Sequence, residues 1–263
     1  MYQLNGFIYR LVNIVYRSSI VTTASSFDWS EWDKESIIDM VYMARGLVVG
    51  QTLTITEFNT RLTRHIKYWL PVRSRKSLEP QVDKGHVWIG GMYYTDYDQN
   101  KQKSIEIALA YHKDDRVITM TARRFTRICH RIADVLLHEI IHMRQARKRN
   151  FKNLPGYSST AESTKSKQEQ EYLGDPDEID AYAFNMACEL HSKFNGDIKQ
   201  IVNYFNEPQK GKKRYFNTWR MYLKAFNWDS DHRIIRRIKK RCIYYLSRSQ
   251  ISKPYQSKDW IHR

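Results

Sequence analysis

The feature that most constrains the fold is one long amphipathic stretch, TARRFTRICHRIADVLLHEIIHMRQARKR, which runs from Thr121 to Arg149. Thr121 belongs to the residue types that cap helix N-termini, because its side-chain oxygen can accept a free backbone N–H. The apolar residues recur every three or four positions, which is the period of a helix with one buried face: Phe125, Ile128, Ile132, Val135, Leu136, Ile140 and Met143. The stretch therefore predicts a long helix that lies against the core.

Two histidines, His138 and His142, lie four residues apart within this predicted helix, and Glu139 directly follows the first. Residues four apart on a helix share a face, so both imidazoles can bind one metal ion. Glu139 would lie beside that ion, where hydrolysis assisted by a metal needs a general base. The spacing indicates a zinc site, although His-Glu-x-x-His also occurs by chance on helices that bind no metal.

A catalytic zinc ion usually has three protein ligands and one open position, so a third ligand is expected downstream. The stretch DPDEIDAYAFNMACELH predicts a helix with Asp175 as N-cap and Pro176 in its first turn. Glu178 is the first candidate for the third ligand and Asp180 is the alternative. Asp175 and Glu178 also match a capping box, in which Glu178 would only satisfy backbone amides. The sequence leaves these interpretations open.

Two strands are predicted before the motif, at His86 to Thr95 and at Ile105 to Leu109, from β-branched and aromatic residues and from alternating apolar residues. The polar run DYDQNKQK between them predicts a hairpin. The stretches VRSRKSLEPQVDKG, residues 72–85, and NLPGYSSTAESTKSKQEQ, residues 153–170, predict loops.

Five further helices are predicted, two before the strands and three at the end of the chain. The first begins at Ser30, and the second begins after Thr56 and stops at Pro71. Of the last three, the first follows Gly196, the second covers approximately residues 215–226, and the third covers approximately residues 230–245. We therefore expect an α+β protein with an N-terminal helical region (residues 1–80), a core (81–195) and a basic helical extension (196–263).

The region from Ile105 to His191 resembles the zincin metallopeptidases, in particular the branch whose third zinc ligand is a glutamate. Ala181 and the aromatic residues after it are similar to the third-ligand helix of ImmA/IrrE-type and phage-encoded zincins. The resemblance implies a zincin-like core, with a small antiparallel sheet, an active-site helix and a third-ligand helix. The residues that match the family's motif are His138, Glu139, His142 and Glu178.

This resemblance implies a zinc-dependent peptidase that binds Zn²⁺ and acts on a peptide or protein substrate. In the family, the strand before the motif helix pairs with an extended substrate, so Ser104, Glu106, Ala108 and Ala110 would form the substrate edge. Tyr182 lies four residues after Glu178 and shares its face. It would either stabilise the transition state or pack in the core.

The end of the chain is strongly basic. Between Lys210 and Arg263 there are 16 Lys and Arg against three acidic residues, which gives this tail +13 of the formal net charge of +16. Such a charge favours nucleic acid or an acidic protein as partner, although solvated amphipathic helices have the same composition. The alternative hypothesis is a nucleic-acid-binding or virion-associated protein with a structural or inactive zincin core. Deleting Lys210–Arg263 would then remove binding and leave the metal content unchanged.

The remaining sequence features concern the compartment. Cys129, Cys188 and Cys242 are odd in number and form no CxxC pair, so a reducing compartment is expected. The apolar stretch GFIYRLVNIVY, residues 6–16, is too short to span a bilayer, and no transmembrane segment is expected. These features predict a cytoplasmic protein, in the host cytoplasm or the virion if a phage encodes it.

Overall fold

The computed structural model describes residues 33–207 and 217–247 of the 263-residue chain. These residues form a mixed α+β structure, as expected. They contain ten helices and five strands: α1 (Lys34–Tyr42), α2 (Arg45–Val48), β1 (Thr52–Thr54), α3 (Ile55–Trp69), β2 (Arg73–Glu79), β3 (Val87–Tyr93), α4 (Thr95–Gln99), β4 (Ile105–His112), β5 (Val117–Thr119), α5 (Ala122–Lys148), α6 (Thr164–Gly174), α7 (Pro176–Lys193), α8 (Ile198–Asn206), α9 (Asn217–Ala225) and α10 (Arg233–Ser247).

Helix α5 is the long helix that the amphipathic stretch predicts. It contains 27 residues and is therefore about 40 Å long. The hydroxyl of Thr121 accepts a hydrogen bond from the Arg124 backbone N–H at 3.3 Å, which confirms Thr121 as the N-cap. Helices α1 and α7 and strands β3 and β4 all pack against α5. The position of each of these elements relative to the two histidines is thus set by one helix.

Strand β4 lies at the centre of a three-stranded sheet of order β2-β4-β3. It pairs antiparallel with β3, as the hairpin prediction requires, although the connection contains the short helix α4. It also pairs in parallel with β2, so the sheet is mixed and the expectation of an antiparallel sheet was wrong. Part of the stretch predicted as the loop 72–85 forms β2, Arg73–Glu79. Alternating apolar residues could not reveal this strand, because most of its side chains are polar.

This topology corrects the expected substrate edge. Ser104 precedes β4, and Glu106, Ala108 and Ala110 belong to it. Both sides of β4 are occupied by neighbouring strands, so its backbone is not available to an extended peptide. The edge strand that packs on α5 is instead β3. The error arose because β2, the strand that covers the second side of β4, was not predicted.

Local hydrogen bonds determine where the first helices begin. Helix α3 starts at Ile55, two residues earlier than expected, because Thr54 and Glu57 form a complete capping box. The side chain of Asp33 caps α1 by accepting a hydrogen bond from the Ser36 backbone N–H at 2.8 Å. The proposed start at Ser30 and the apolar stretch of residues 6–16 lie outside the described residues.

The segment 153–170 was predicted to be a loop, but its last part belongs to α6. The side-chain amide of Gln170 donates a hydrogen bond to the Ala225 carbonyl of α9 at 2.8 Å, and its oxygen accepts one from Ser159 at 2.5 Å. These contacts join residues distant in sequence, so local periodicity does not reveal the helix.

The three C-terminal helices are confirmed as α8, α9 and α10, and α10 packs along α7. One cluster of buried side chains runs from Ile37 in α1 to Leu246 in α10. The N-terminal helices and the basic extension thus share a core with the central region. No helix within the described residues has both the length and the apolar composition that crossing a membrane requires.

Replacing Phe58 with alanine is expected to lower the free energy of unfolding by about 3–5 kcal/mol, because it leaves a cavity in the core. Phe58 is fully buried in α3, and its ring meets that of Tyr111 edge to face. The matched control is Tyr68→Ala on the same helix, where the side chain is 69% exposed and the expected loss is below about 1 kcal/mol. Urea unfolding of both variants measures the difference, and equal losses would contradict the described burial.

Candidate metal centre

The two motif histidines face each other on α5. Their Nε2 atoms are 3.0 Å apart, and the ring planes are inclined by 78°. His138 is buried, and His142 is half-buried. The four-residue spacing therefore places both imidazoles on one face of the helix, as expected. Each directs its Nε2 atom at the same point.

Helix α7 brings the third group. Glu178 places Oε2 at 3.2 Å from Nε2 of His138 and Oε1 at 3.4 Å from Nε2 of His142. At the start of α7, the carboxylate of Asp175 accepts a hydrogen bond from the Asp177 backbone N–H, so Asp175 is the N-cap. Glu178 faces the imidazoles instead of the helix N-terminus, so it does not act as a capping residue.

The distances between these side chains fit a tetrahedral zinc site. Ligand atoms of all three residues lie within 4.8 Å of one another. Ligands at 2.0–2.1 Å from a tetrahedral ion are separated from each other by about 3.3 Å. The two Nε2 atoms are 3.0 Å apart, and each lies 3.2 or 3.4 Å from a different oxygen of Glu178, so the observed separations bracket that value. Oε2 of Glu178 is also buried and lies 3.2 Å from Nε2 of His138, which suits an oxygen that would bind a cation.

Charge interactions keep Glu178 ionised. Burial alone would raise the pKa of its carboxyl, but the hydrogen bonds and charges of His138 and His142 lower it to about 2. Burial lowers the pKa of His138. For His142 the carboxylate of Glu178 outweighs burial and raises the pKa. The cluster thus offers a negative charge and two imidazoles to an incoming cation.

Asp180, the alternative third ligand, turns to the other side of α7. Two positions along a helix correspond to a rotation of about 200°. Its carboxylate accepts hydrogen bonds from Arg241 Nε and, at 2.7 Å, from the Tyr245 hydroxyl, both on α10. The side-chain amide of Gln145 donates a third, at 3.1 Å. Asp180 is therefore absent from the group of possible ligands, and Glu178 belongs to it.

Glu139 is buried between α5 and the edge strand β3. Burial raises the pKa of its carboxyl to about 7, partly opposed by His142 and by a hydrogen bond from the Tyr93 backbone. Gly91 makes this close approach possible, because a Cβ there would lie 2.6 Å from Val135 and 2.8 Å from Glu139 Oε1. The expected general base thus lies next to both His142 and the backbone of β3.

Two tyrosines complete the site. The ring of Tyr182 lies 4.5 Å from that of His138, and its hydroxyl is 3.3 Å from the hydroxyl of Tyr172. The hydroxyl of Tyr172 also interacts with Glu178, which contributes to the raised pKa of Tyr172 after the larger effect of burial. Sequence reasoning missed Tyr172, because it lies on α6, in a stretch with no helical periodicity.

Alanine at His142 or Glu178 is expected to weaken zinc binding by more than about 100-fold. Losing a ligand should reduce the affinity more than losing a residue that only contacts a ligand, which usually costs about 10-fold to 100-fold. Competition with a chromophoric chelator measures the affinity. Glu169→Ala on α6 is the control, since this glutamate is exposed. Wild-type affinity in Glu178→Ala would exclude Glu178 as the third ligand.

Comparisons with protein-family models, with curated proteins and with solved structures found no match to this chain. A function therefore has to be argued from the geometry of the site.

Proposed function

We propose that this protein is a zinc-dependent peptidase, with His138, His142 and Glu178 as metal ligands and Glu139 as the general base. The observation that carries the proposal is the convergence of three ligand atoms beside a buried carboxyl whose pKa is raised to about 7. A cluster that only stabilised the fold would not require this fourth group. Two imidazoles and one carboxylate are also a common ligand set of catalytic zinc, which leaves one position open.

Zinc bound there would act as a Lewis acid, which polarises a substrate carbonyl and acidifies water. Glu139 would supply the transfer of protons. Its carboxyl, buried beside the metal ligands, would accept a proton from water and then donate it to the leaving amine. The neighbouring Tyr93 N–H would hold the carboxylate in place between the two steps. Tyr182, beside His138, is the proposed donor to the developing oxyanion.

The edge of β3 is the proposed substrate-binding strand. Tyr94 N–H donates to the Ser104 carbonyl at 2.8 Å, so alternate residues from Tyr94 backwards face β4. Ile89, Gly91 and Tyr93 consequently direct their backbone groups away from β4. Arg131 Nε donates a hydrogen bond to the Ile89 carbonyl at 3.3 Å, and the Glu139 carboxylate accepts one from the Tyr93 N–H.

Gly91 lies between these two occupied positions and next to Glu139. Its outward N–H and C=O groups could pair with an extended peptide by addition of a strand. This arrangement would present a peptide bond to the metal centre, with β3 in the role first expected of β4.

Glu139→Gln is expected to reduce peptide hydrolysis by about 100-fold to 10,000-fold, because the amide cannot accept the proton. The variant should still bind zinc like the wild type, since Glu139 is not a ligand. Cleavage of a quenched-fluorescent peptide library, measured with and without a chelator, tests this, and Glu169→Gln is the control. Zinc-loaded wild type that cleaves no peptide in the library would contradict the proposal.

A second candidate function, binding to the phosphate backbone of nucleic acid, is supported by one face of α10. Arg233, Arg236, Arg237 and Lys240 are exposed and spaced so that they form a single basic stripe. Within the described part of the chain, none of the four belongs to an ion pair, although Arg233 lies over the ring of Tyr157. The interpretation as a solvated helix face remains its alternative.

Replacing Arg236 and Arg237 with glutamine should weaken DNA binding and make its salt dependence shallower. The slope of log K against log salt should fall by roughly 2, because each phosphate contact contributes about one unit. Fluorescence anisotropy with a labelled oligonucleotide measures both quantities. The charge-matched control replaces Arg64 and Lys67, which are exposed on α3. Equal effects of the two double variants would show that the stripe on α10 has no special role.

A further inference from the structure

His142 has a hydrogen-bond partner, Gln145, on the side of its ring away from the other metal ligands, and this partner fixes the orientation of the ring. Its Nδ1 atom lies 3.1 Å from Oε1 of Gln145, and its Nε2 atom faces His138 and Glu178. The two ring nitrogens thus have different tasks. A histidine that binds a metal through Nε2 must carry its proton on Nδ1, and the group that accepts that proton determines the tautomer.

The orientation of the Gln145 amide is determined by its other contacts. Its Nε2 atom lies 3.1 Å from the Asp177 carbonyl and 3.1 Å from Oδ2 of Asp180. Both neighbours are acceptors, so the NH₂ group must point towards them. The amide oxygen then has to face His142. Because that oxygen can only accept, Nδ1 of His142 must be the donor.

Asp180 is held in turn by α10. Its Oδ1 atom accepts hydrogen bonds from Arg241 Nε and from the Tyr245 hydroxyl, the latter at 2.7 Å. The Arg241 guanidinium also lies over the rings of Tyr244 and Tyr245, at 4.4 and 4.9 Å from their centroids. Asp180 is therefore anchored on the side of α7 away from the metal centre.

We propose that Gln145, Asp180, Arg241 and Tyr245 are positioning residues of the metal centre. They hold His142 as the Nδ1–H tautomer, which leaves Nε2 bare for the ion, and they make the basic helix α10 a part of the site. The proposal rests on the metal-binding part of the proposed function and does not require peptidase activity. It also replaces the expectation that Lys210–Arg263 can be deleted without changing the metal content.

The main test is Gln145→Met, which keeps a side chain of similar length and removes both hydrogen-bonding groups. Zinc affinity should fall by about 10-fold to 100-fold, the usual effect of losing an outer partner. Gln168→Met is the matched control, because Gln168 is exposed on α6. Tyr245→Phe should give a smaller loss in the same direction, since Asp180 keeps its bond to Arg241. Chelator competition measures all affinities, and thermal unfolding of the metal-free variants verifies that they fold.

A second readout separates positioning from general stability. Long-range ¹H–¹⁵N correlation spectra of the metal-free protein, recorded at alkaline pH where the imidazole is neutral despite its raised pKa, report which nitrogen of His142 carries the proton. Wild type should show the Nδ1–H form, and Gln145→Met should show a mixture of tautomers. Wild-type zinc affinity and an unchanged tautomer in Gln145→Met would overturn the proposal.

The two proposals fail in distinguishable ways. If wild type bound no zinc, the proposed function would be wrong, while the spectrum of His142 would still test its hydrogen bond with Gln145. If zinc bound normally in both Gln145→Met and Tyr245→Phe, only the positioning role would be excluded.

Discussion

The candidate metal centre depends on the contact of the Glu178 carboxylate with two imidazoles. A half-buried carboxylate is costly unless it is paired, and where α7 packs on α5 the imidazoles of His138 and His142 lie opposite Glu178. The same contact keeps the carboxylate ionised, with a pKa of about 2. The packing of the two helices therefore also brings together the residues that could hold a cation.

The close approach of β3 to α5 has a similar double consequence. Gly91 lets the strand lie against Glu139, and the resulting burial raises the pKa of that carboxyl to about 7. The strand also presents its outward backbone groups beside the candidate metal centre. One glycine thus supports both the proton transfer and the binding of substrate that we propose, because both need the strand at this distance.

Helix α10 connects the basic end of the chain to the centre of the molecule. One of its faces carries exposed cations such as Arg236 and Arg237, while Arg241 and Tyr245 bind Asp180 on α7. Its apolar residues belong to the common core. A helix with these contacts cannot be a detachable tail, whatever partner its outer face binds.

The sequence by itself determined the local features: helix α5 with its cap Thr121, the shared face of His138 and His142, and the N-cap Asp175, because each depends on residues within a turn or two. The choice of Glu178 over Asp180, the central position of β4 and the helical form of α6 were decided only by tertiary structure. The rotation of α7 about its axis, the parallel partner β2 and the contacts of α6 with α9 all join residues far apart in the chain. Local periodicity contains no information about such contacts.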